Sequence, residues 1–285
     1  MIETIITDIA KSLDTQIQNY EKVQGGDINQ CFCLYTPDGR CFHKINDAER
    51  FPQMFEKEAA GLEALRKSGT ILVPAVLQHG VAQGHQWLLL EWLEKKPAST
   101  HSLHHFGVNL ARLHQQPQAC FGWHTDNYIG SLQQVNTMHH NWEAFYTECR
   151  VMPLVKQLFD ARTFEKKDIS LAISFCKKLN SLFPEEPPAL LHGDLWSGNY
   201  MITANAAALF DPAVYFGHRE MDIGMSKLFG GFNQAFYAGY EEQYPLEKDW
   251  EKRLPLTQLY PLLVHACLFG GHYSNAARQI LKRCG

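Results

Sequence analysis

Apolar positions along the chain change period twice, and those changes divide it. Ile2, Ile5, Ile6, Ile9 and Leu13 share one helical face, predicting a helix within residues 1–20. Alternation then takes over. Cys31–Tyr35 and Arg40–Ile45 read as strands joined by a turn at Pro37-Asp38-Gly39. Helical spacing returns from Phe51 to Lys67, where Phe55, Leu62 and Leu65 mark a stripe that Ser68-Gly69 ends. Val73–Leu77 and Gln86–Leu93 predict two further strands around a turn near Gly80 to Gly84. The charged breaker Glu94-Lys95-Lys96-Pro97 follows and marks the best boundary in the chain.

Beyond it, helices dominate. Phe106, Leu110 and Leu113 line one ending near His114; Trp142, Phe145 and Tyr146 begin another. Ile169–Leu182 makes a third, stopped by Pro184 and Pro187-Pro188. Helices also follow at 219–228, 233–240 and 254–281, the last expected to break at Pro261. The expected architecture is α+β, with a sheet-rich lobe at 1–93 and a larger helical lobe at 94–285.

A single stretch of the helical lobe breaks the pattern. Leu190–Ala213 reads as two short strands, Tyr200–Ile202 and Ala208–Phe210, behind a turn at His192–Asn199. It gathers Asp194, Asn199 and Asp211 at one edge. Either residue type makes turns by itself; the three together, with His192, fit the phosphoryl-transfer arrangement. That arrangement uses an Asp beside the acceptor hydroxyl, an Asn five residues on, and a further Asp on metal. Hard oxygen ligands of this kind suit Mg²⁺. Asp222, near the start of the 219–228 helix, either caps that helix or braces the turn.

The sheet-rich lobe holds matching groups. Gly25-Gly26, with Ile28 just beyond, lies between the first helix and the first strand, where backbone N–H groups can approach phosphates. Lys44 lies on the strand after the hairpin, and Glu58 falls on the buried stripe of the next helix. A buried carboxylate requires a partner, and Lys44 is the natural one.

Composition narrows the classes. With 285 residues, 45% apolar and 20% charged, the chain is ordinary globular material. A net charge of −4 gives no basic field for nucleic acid. No apolar run reaches the roughly 20 residues of a membrane span, and the acidic amphipathic opening does not read as a secretory signal. A soluble, cytoplasmic protein is expected. The 8 cysteines lack paired spacing and read as reduced thiols. The histidine pairs at 104–105 and 139–140 lack metal-site spacing. Cys31 is the candidate redox thiol by its closeness to the expected nucleotide site.

These residues carry a family pattern. HGDLWSGN (192–199), Asp211-Pro212-Ala213 and GHREMDIGMSKLFGGF (217–232) resemble the fructosamine kinase family, as do NLARLH (109–114), FGWHTDNYIG (121–130) and NWEAFY (141–146). The order is the family's over nearly the whole chain. The HGD core is shared with aminoglycoside phosphotransferases and choline kinases, and Trp196 is the more specific mark. The resemblance implies a protein-kinase-like two-lobe fold and ATP-dependent phosphorylation of a ketoamine sugar at O3, with a glycated amine, free or protein-bound, as partner.

By the same resemblance Asp194 is the base, Asn199 and Asp211 hold Mg²⁺, and Lys44 with Glu58 positions the phosphates. Glu91, Trp92 and Leu93 form the adenine hinge. Apart from the resemblance, Trp196, Trp123 and His218 are expected to wall the sugar pocket, since an aromatic face suits the apolar side of a sugar ring. The chain departs from the pattern twice. The glycine loop has only Gly25-Gly26, and Asp27 stands where many eukaryotic members carry cysteine. Two other functions fit the same residues: a catalytically silent nucleotide-binding module, and a kinase for an aminoglycoside, choline or other small alcohol.

Overall fold

The structure, a computed structural model, describes residues 2–12, 15–23 and 28–284. The sheet lobe is built from α1 (Ile2–Ser12), β1 (Asn19–Val23), β2 (Gln30–Thr36), β3 (Gly39–Asp47), α2 (Met54–Lys67), β4 (Val76–Ala82) and β5 (His85–Glu91). The strands form one antiparallel sheet in the order β1-β2-β3-β5-β4. On one face Ile5, Ile6 and Ile9 of α1 pack on Phe32, Leu34, Ile45, Trp87 and Leu89. On the other, Phe55, Ala59, Leu62 and Leu65 of α2 belong to the same core as Leu88 and Leu90. Strand alternation therefore decides the place of Lys44. His43 and Ile45 face α1, so Lys44 faces α2.

The boundaries shift from the sequence expectation at both ends. The first helix ends at Ser12. Asn19–Val23 is an edge strand with almost no buried surface, so its side chains carry no alternation to read. β4 starts later than expected and continues through Gly80 to Ala82.

The helical lobe opens with α3 (Thr100–His114), whose Ser99 and Ser102 form a reciprocal capping box. It continues with β6 (Asn127–Ile129), β7 (Leu132–Gln134), α4 (Trp142–Phe145), a wide π turn at Tyr146–Val151, and α5 (Met152–Asp160). Then come α6 (Lys166–Cys176), α7 (Leu179–Leu182), β8 (Ala189–Leu191), β9 (Tyr200–Ile202), β10 (Ala207–Leu209) and β11 (Tyr215–Gly217). The chain closes with α8 (Glu220–Leu228), α9 (Gln234–Gln243), α10 (Trp250–Phe269) and α11 (His272–Cys284).

The helix expected over 169–182 is thus two, α6 and α7. The break expected at Pro261 is absent. α10 runs through both Pro255 and Pro261, and the chain turns instead at Gly270-Gly271, with φ of 65° and 60°. The buried aliphatic surroundings of Pro261 hold the helix together where the missing N–H would weaken it. The short strands β6, β7 and β11 carry too few residues to show a period. Among the described residues no helix is long and apolar enough to cross a membrane.

α3 and α9 approach unusually closely, at glycines. A Cβ on Gly107 would lie 1.9 Å from the Phe236 carbonyl oxygen, and one on Gly239 would lie 2.1 Å from that of His104. Backbone sits on backbone there, so neither helix can yield by rotating a side chain. Gly107→Ala is expected to lower stability by about 3 kcal/mol through overpacking, read as a lower urea midpoint with unchanged slope. An unshifted midpoint would mean the helices separate cheaply.

Candidate active site

The HGD turn is shaped by two hairpin-like returns. β8 pairs with β11 and β9 with β10, both antiparallel, which brings residues 192–199 against 210–213. Ala213 N–H donates to the His192 carbonyl at 2.9 Å, and Phe210 N–H to that of Asn199 at 3.1 Å. Gly193 has φ 82°, and a Cβ there would lie 2.0 Å from the Ala213 carbonyl oxygen. Only glycine fits. His192 is fully buried and held neutral, because burial lowers its pKa. Its Nε2 donates to the Phe210 carbonyl at 3.0 Å and its Nδ1 accepts from Asp194 N–H at 3.3 Å.

Asn199 donates through Nδ2 to both the carbonyl and Oδ2 of Asp194, at 2.9 and 3.0 Å. Burial pushes the Asp194 carboxyl up to about 7; Asp211 and Asp222 add to this, and the Asn199 hydrogen bond opposes it. Asp211 lies across the turn in the left-handed region, at φ 54°. For a non-glycine residue that conformation carries a cost that the surrounding structure must hold in place.

Lys44 joins the two lobes. Its Nζ donates to Glu58 Oε1 and Oε2 at 2.8 and 2.9 Å and to Asp211 Oδ1 at 2.8 Å. Burial alone disfavours the ammonium, but Asp211 and Glu58 outweigh it and raise the Lys44 pKa. The same burial raises Glu58, with Lys44 opposing.

Asp222 braces the turn. It lies inside α8, and its carboxylate accepts His192 N–H at 2.8 Å and Gly193 N–H at 2.9 Å. His114, at the end of α3, adds a third contact through Nε2 at 3.3 Å, and its Nδ1 accepts from the Tyr240 hydroxyl at 2.8 Å.

The structure adds a second set of positioning residues, of which only Asn127 lies within a motif quoted above. Asn127 Nδ2 donates to the Val214 carbonyl at 2.8 Å, and Gln134 Nε2 to the Ala213 carbonyl at 3.1 Å and to Asn127 Oδ1 at 2.7 Å. Tyr260 donates to Gln134 Oε1 at 2.7 Å. Behind them Arg150 is fully buried with no ion pair among the described residues. Its guanidinium donates to the Val135 carbonyl and Asn136 Oδ1, and lies 4.0 Å from the Tyr215 ring centroid. The sequence signal is a run of amides, Asn127, Gln133, Gln134 and Asn136, of which all but Gln133 are buried.

These side chains open on one cleft of 430 Å³, lined by Ile28, Lys44, Glu58, Asp194, Trp196, Asn199 and Asp211 among others. Gly25 and Gly26 lie outside the described residues. Glu91, Trp92 and Leu93 leave the end of β5 apart from this cavity: Glu91 pairs with Ala75, and Trp92 donates to Glu94. Trp196 is 39% exposed at the cleft. Trp123 and His218 are not brought to it. Trp123 packs on Phe216 and His124, and His218 is fully buried between Phe183 and Trp142, because both sit where aromatic surface closes the core. Cys31 faces Lys44 across the sheet register, and burial raises its thiol to about 11, which disfavours the reactive thiolate.

Two other features stand away from this centre. A larger cavity of 790 Å³, near Trp142, Phe183 and Pro184, shares no lining residue with this cleft. Glu186, His218 and Glu220 cluster closely, yet Arg219 takes both Glu186 oxygens and Arg253 takes Glu220. The oxygen donors facing the cleft suit a hard cation better. Asn199 commits its Nδ2 to Asp194, leaving Oδ1 to accept, and Asp211 is held with its carboxyl partly exposed.

The fructosamine kinase family matches residues 1–284 of this chain. A probable ketoamine kinase of Synechocystis sp. is 43% identical over 272 residues, covering 94% of this chain and 91% of its own length. A solved candidate fructosamine-3-kinase from Haemophilus somnus superposes with TM-score 0.89 at 30% identity, covering 100% of this chain and 97% of its own. A thermostable mutant of the aminoglycoside phosphotransferase APH(4)-Ia, solved with ADP and hygromycin B, shares the fold at TM-score 0.64 and 12% identity, over 98% of each chain. The architecture is thus that of kinase-like proteins.

Two outcomes follow for the metal-free protein. Asp194 keeps its proton in the native state between an ordinary carboxyl value of 3.8 and about 7, where the unfolded chain has lost it. Rising pH across that window therefore removes stability. Asp194→Asn should match wild type near pH 4 and exceed it by about 2 kcal/mol at pH 8, roughly half the full shift at 1.36 kcal/mol per unit because the carboxyl borders open solvent. Urea unfolding with EDTA across that range measures it; a constant difference would mean a solvated carboxyl. Gln134→Leu leaves the Ala213 carbonyl and the Tyr260 hydroxyl unpaired. It should cost about 2 kcal/mol in the same assay; no loss would mean water replaces the amide.

Proposed function

The chain belongs to the fructosamine kinase family, and we propose that it transfers the γ-phosphoryl group of ATP to the sugar O3 of a ketoamine on a glycated amine. The observation that carries this reading is the single cleft in which Asp194, Asn199 and the Lys44–Glu58–Asp211 triad meet. Residues 1–93 would bind the nucleotide and residues 94–285 the acceptor. Gly25, Gly26 and Ile28 would cover the phosphates, and backbone groups of Glu91–Leu93 would meet the adenine edge.

Lys44, fixed by Glu58, neutralises phosphate charge. Asp194 orients the acceptor hydroxyl and takes its proton as the new O–P bond forms and the bond from the γ-phosphorus to ADP breaks. The raised affinity of Asp194 for a proton suits that transfer. Asn199 and Asp211 would hold Mg²⁺, which when bound neutralises phosphate charge. Trp196 offers an exposed aromatic face to the apolar side of the sugar. Most of the acceleration comes from orientation and charge placement. Phosphorylation at O3 destabilises the adduct, which makes the reaction a deglycation step.

The test is a panel of fructosyl-, ribulosyl- and erythrulosyl-lysine with ATP and Mg²⁺, with kanamycin and choline alongside. Turnover on a ketoamine is expected, falling by about 10³-fold in Asp194→Asn. Retained turnover in that variant would remove Asp194 from the mechanism. ATP binding without turnover of any ketoamine would overturn the substrate reading in favour of another acceptor or a silent module.

A further inference from the structure

The cleft is not centred on the hinge side of the triad. Besides the triad and the turn, its walls are the N-terminal half of α2 with the segment before it (Arg50, Phe51, Met54, Lys57) and the β6–β7 turn (Tyr128, Gly130, Ser131). Glu91–Leu93 are absent from its walls. Granting the phosphoryl-transfer reading, on which this inference rests, the nucleotide base lies toward the hinge. The space across Asp194, against α2, is then where the acceptor sits. The whole cleft, phosphate end included, is 430 Å³, within the roughly 300–1,000 Å³ of small-molecule sites.

The charge in that space is divided. Its inner end is acidic, with Glu58, Asp194 and Asp211, and Lys44 is already committed to two of them. Its outer rim is basic. Lys57 precedes Glu58 on α2 and turns toward the cleft with Met54, three positions before it on the helix. Its Nζ lies 5.4 Å from the centroid of the Tyr128 ring, and the Tyr128 hydroxyl donates to the Pro52 carbonyl at 3.0 Å, which fixes that ring. The ammonium is thereby held at the mouth on a π face.

Arg50 stands on the same rim, its guanidinium 5.0 Å from the Phe51 ring. Neither cation forms an ion pair among the described residues. Asp47, which feels the Arg50 charge, uses its carboxylate on the backbone N–H groups of Glu49 and Arg50. Two uncommitted cations at the far end of an acceptor cavity ask for an anion, and a neutral sugar has none. A polycationic acceptor would be repelled by them.

We infer that this pocket selects ketoamines whose amine carries a nearby free carboxylate, the glycated α-amino acid class, with Lys57 and Arg50 as its specificity-determining residues. The carboxylate docks at the Lys57–Arg50 rim while the sugar hydroxyl reaches Asp194. A protein chain glycated at a lysine Nε presents only a methylene stem beside that nitrogen, and one glycated at its N-terminus presents a peptide group; neither gains anything there.

The probes are fructosyl-glycine and fructosyl-glycinamide, or the same pair built on the ketose that turns over best. In wild type kcat/KM for the acid should exceed that for the amide by about tenfold or more. In Lys57→Met and in Arg50→Gln the ratio should fall toward one through KM for the acid, with KM for ATP unmoved. The wild-type ratio needs no variant and so does not depend on how the substitutions fold. Equal values for acid and amide in wild type, or a ratio that survives both substitutions, would overturn the inference while leaving the kinase reading intact. A rise in KM for ATP would assign the cations to phosphate and overturn it too. Absence of turnover on every ketoamine would remove the reaction reading, and this inference with it.

Discussion

One ammonium shared by two carboxylates holds the centre of this protein together. Lys44 comes from the sheet, Glu58 from the helix packed on it, and Asp211 from the helical lobe. Burying such a group is unfavourable unless its charge is answered, and losing one partner of a buried pair costs more than the pair is worth. α2 must therefore dock in the register that offers Glu58, and the 210–213 segment must bring Asp211 forward at a positive φ. Docking angle, strand face and local backbone strain all answer to the same atom.

The turn carrying Asp194 obeys a second constraint of the same kind, met by different means. Its N–H groups at His192 and Gly193 point inward, and the carboxylate of Asp222 accepts both. The neighbouring 213–214 carbonyls are taken by neutral amides from Asn127 and Gln134. A carboxylate serves the donors and amides serve the acceptors, so each of these four backbone groups is paired with a side chain. Arg150 supports the amides from beneath, its charge spread over ring faces and carbonyls.

That Asp194, Asn199 and Asp211 would share one cleft was legible because they are close in sequence and their types are chemically narrow. Asp194, Asn199 and Asp211 fall within eighteen positions of each other, and Glu58 betrayed itself as a carboxylate on an apolar stripe. Hydrophobic period likewise gave α2, the β2–β3 hairpin and most helices. What failed to show depends on distant partners. β11 is three residues long and exists because β8 is there to pair with it. β1 is an exposed edge, so its pattern is polar throughout. Pro261 reads as a helix breaker locally, yet the helix continues through it in a closed core. Trp123 and His218 illustrate the converse: being near a motif in sequence did not put either side chain in the cleft, since the aromatic layer behind it needed them more.

Tyr128 has an effect beyond the place it fixes for Lys57. The sheet lobe is tethered to the helical one along residues 92–99, where Lys96 N–H also donates to the Ile202 carbonyl at 2.7 Å. On the opposite edge Tyr128 reaches across to Pro52, and Lys57 lies over its ring. A jaw fastened at both edges cannot swing freely. Any parting of the lobes at this edge would undo a hydrogen bond and a cation–π contact, together about 1.4 kcal/mol for exposed groups, in addition to the Lys44–Asp211 ion pair. In the acceptor reading proposed above, the one phenol that ties the lobes at this edge also sets where the Lys57 ammonium stands, so a change at position 128 bears on both.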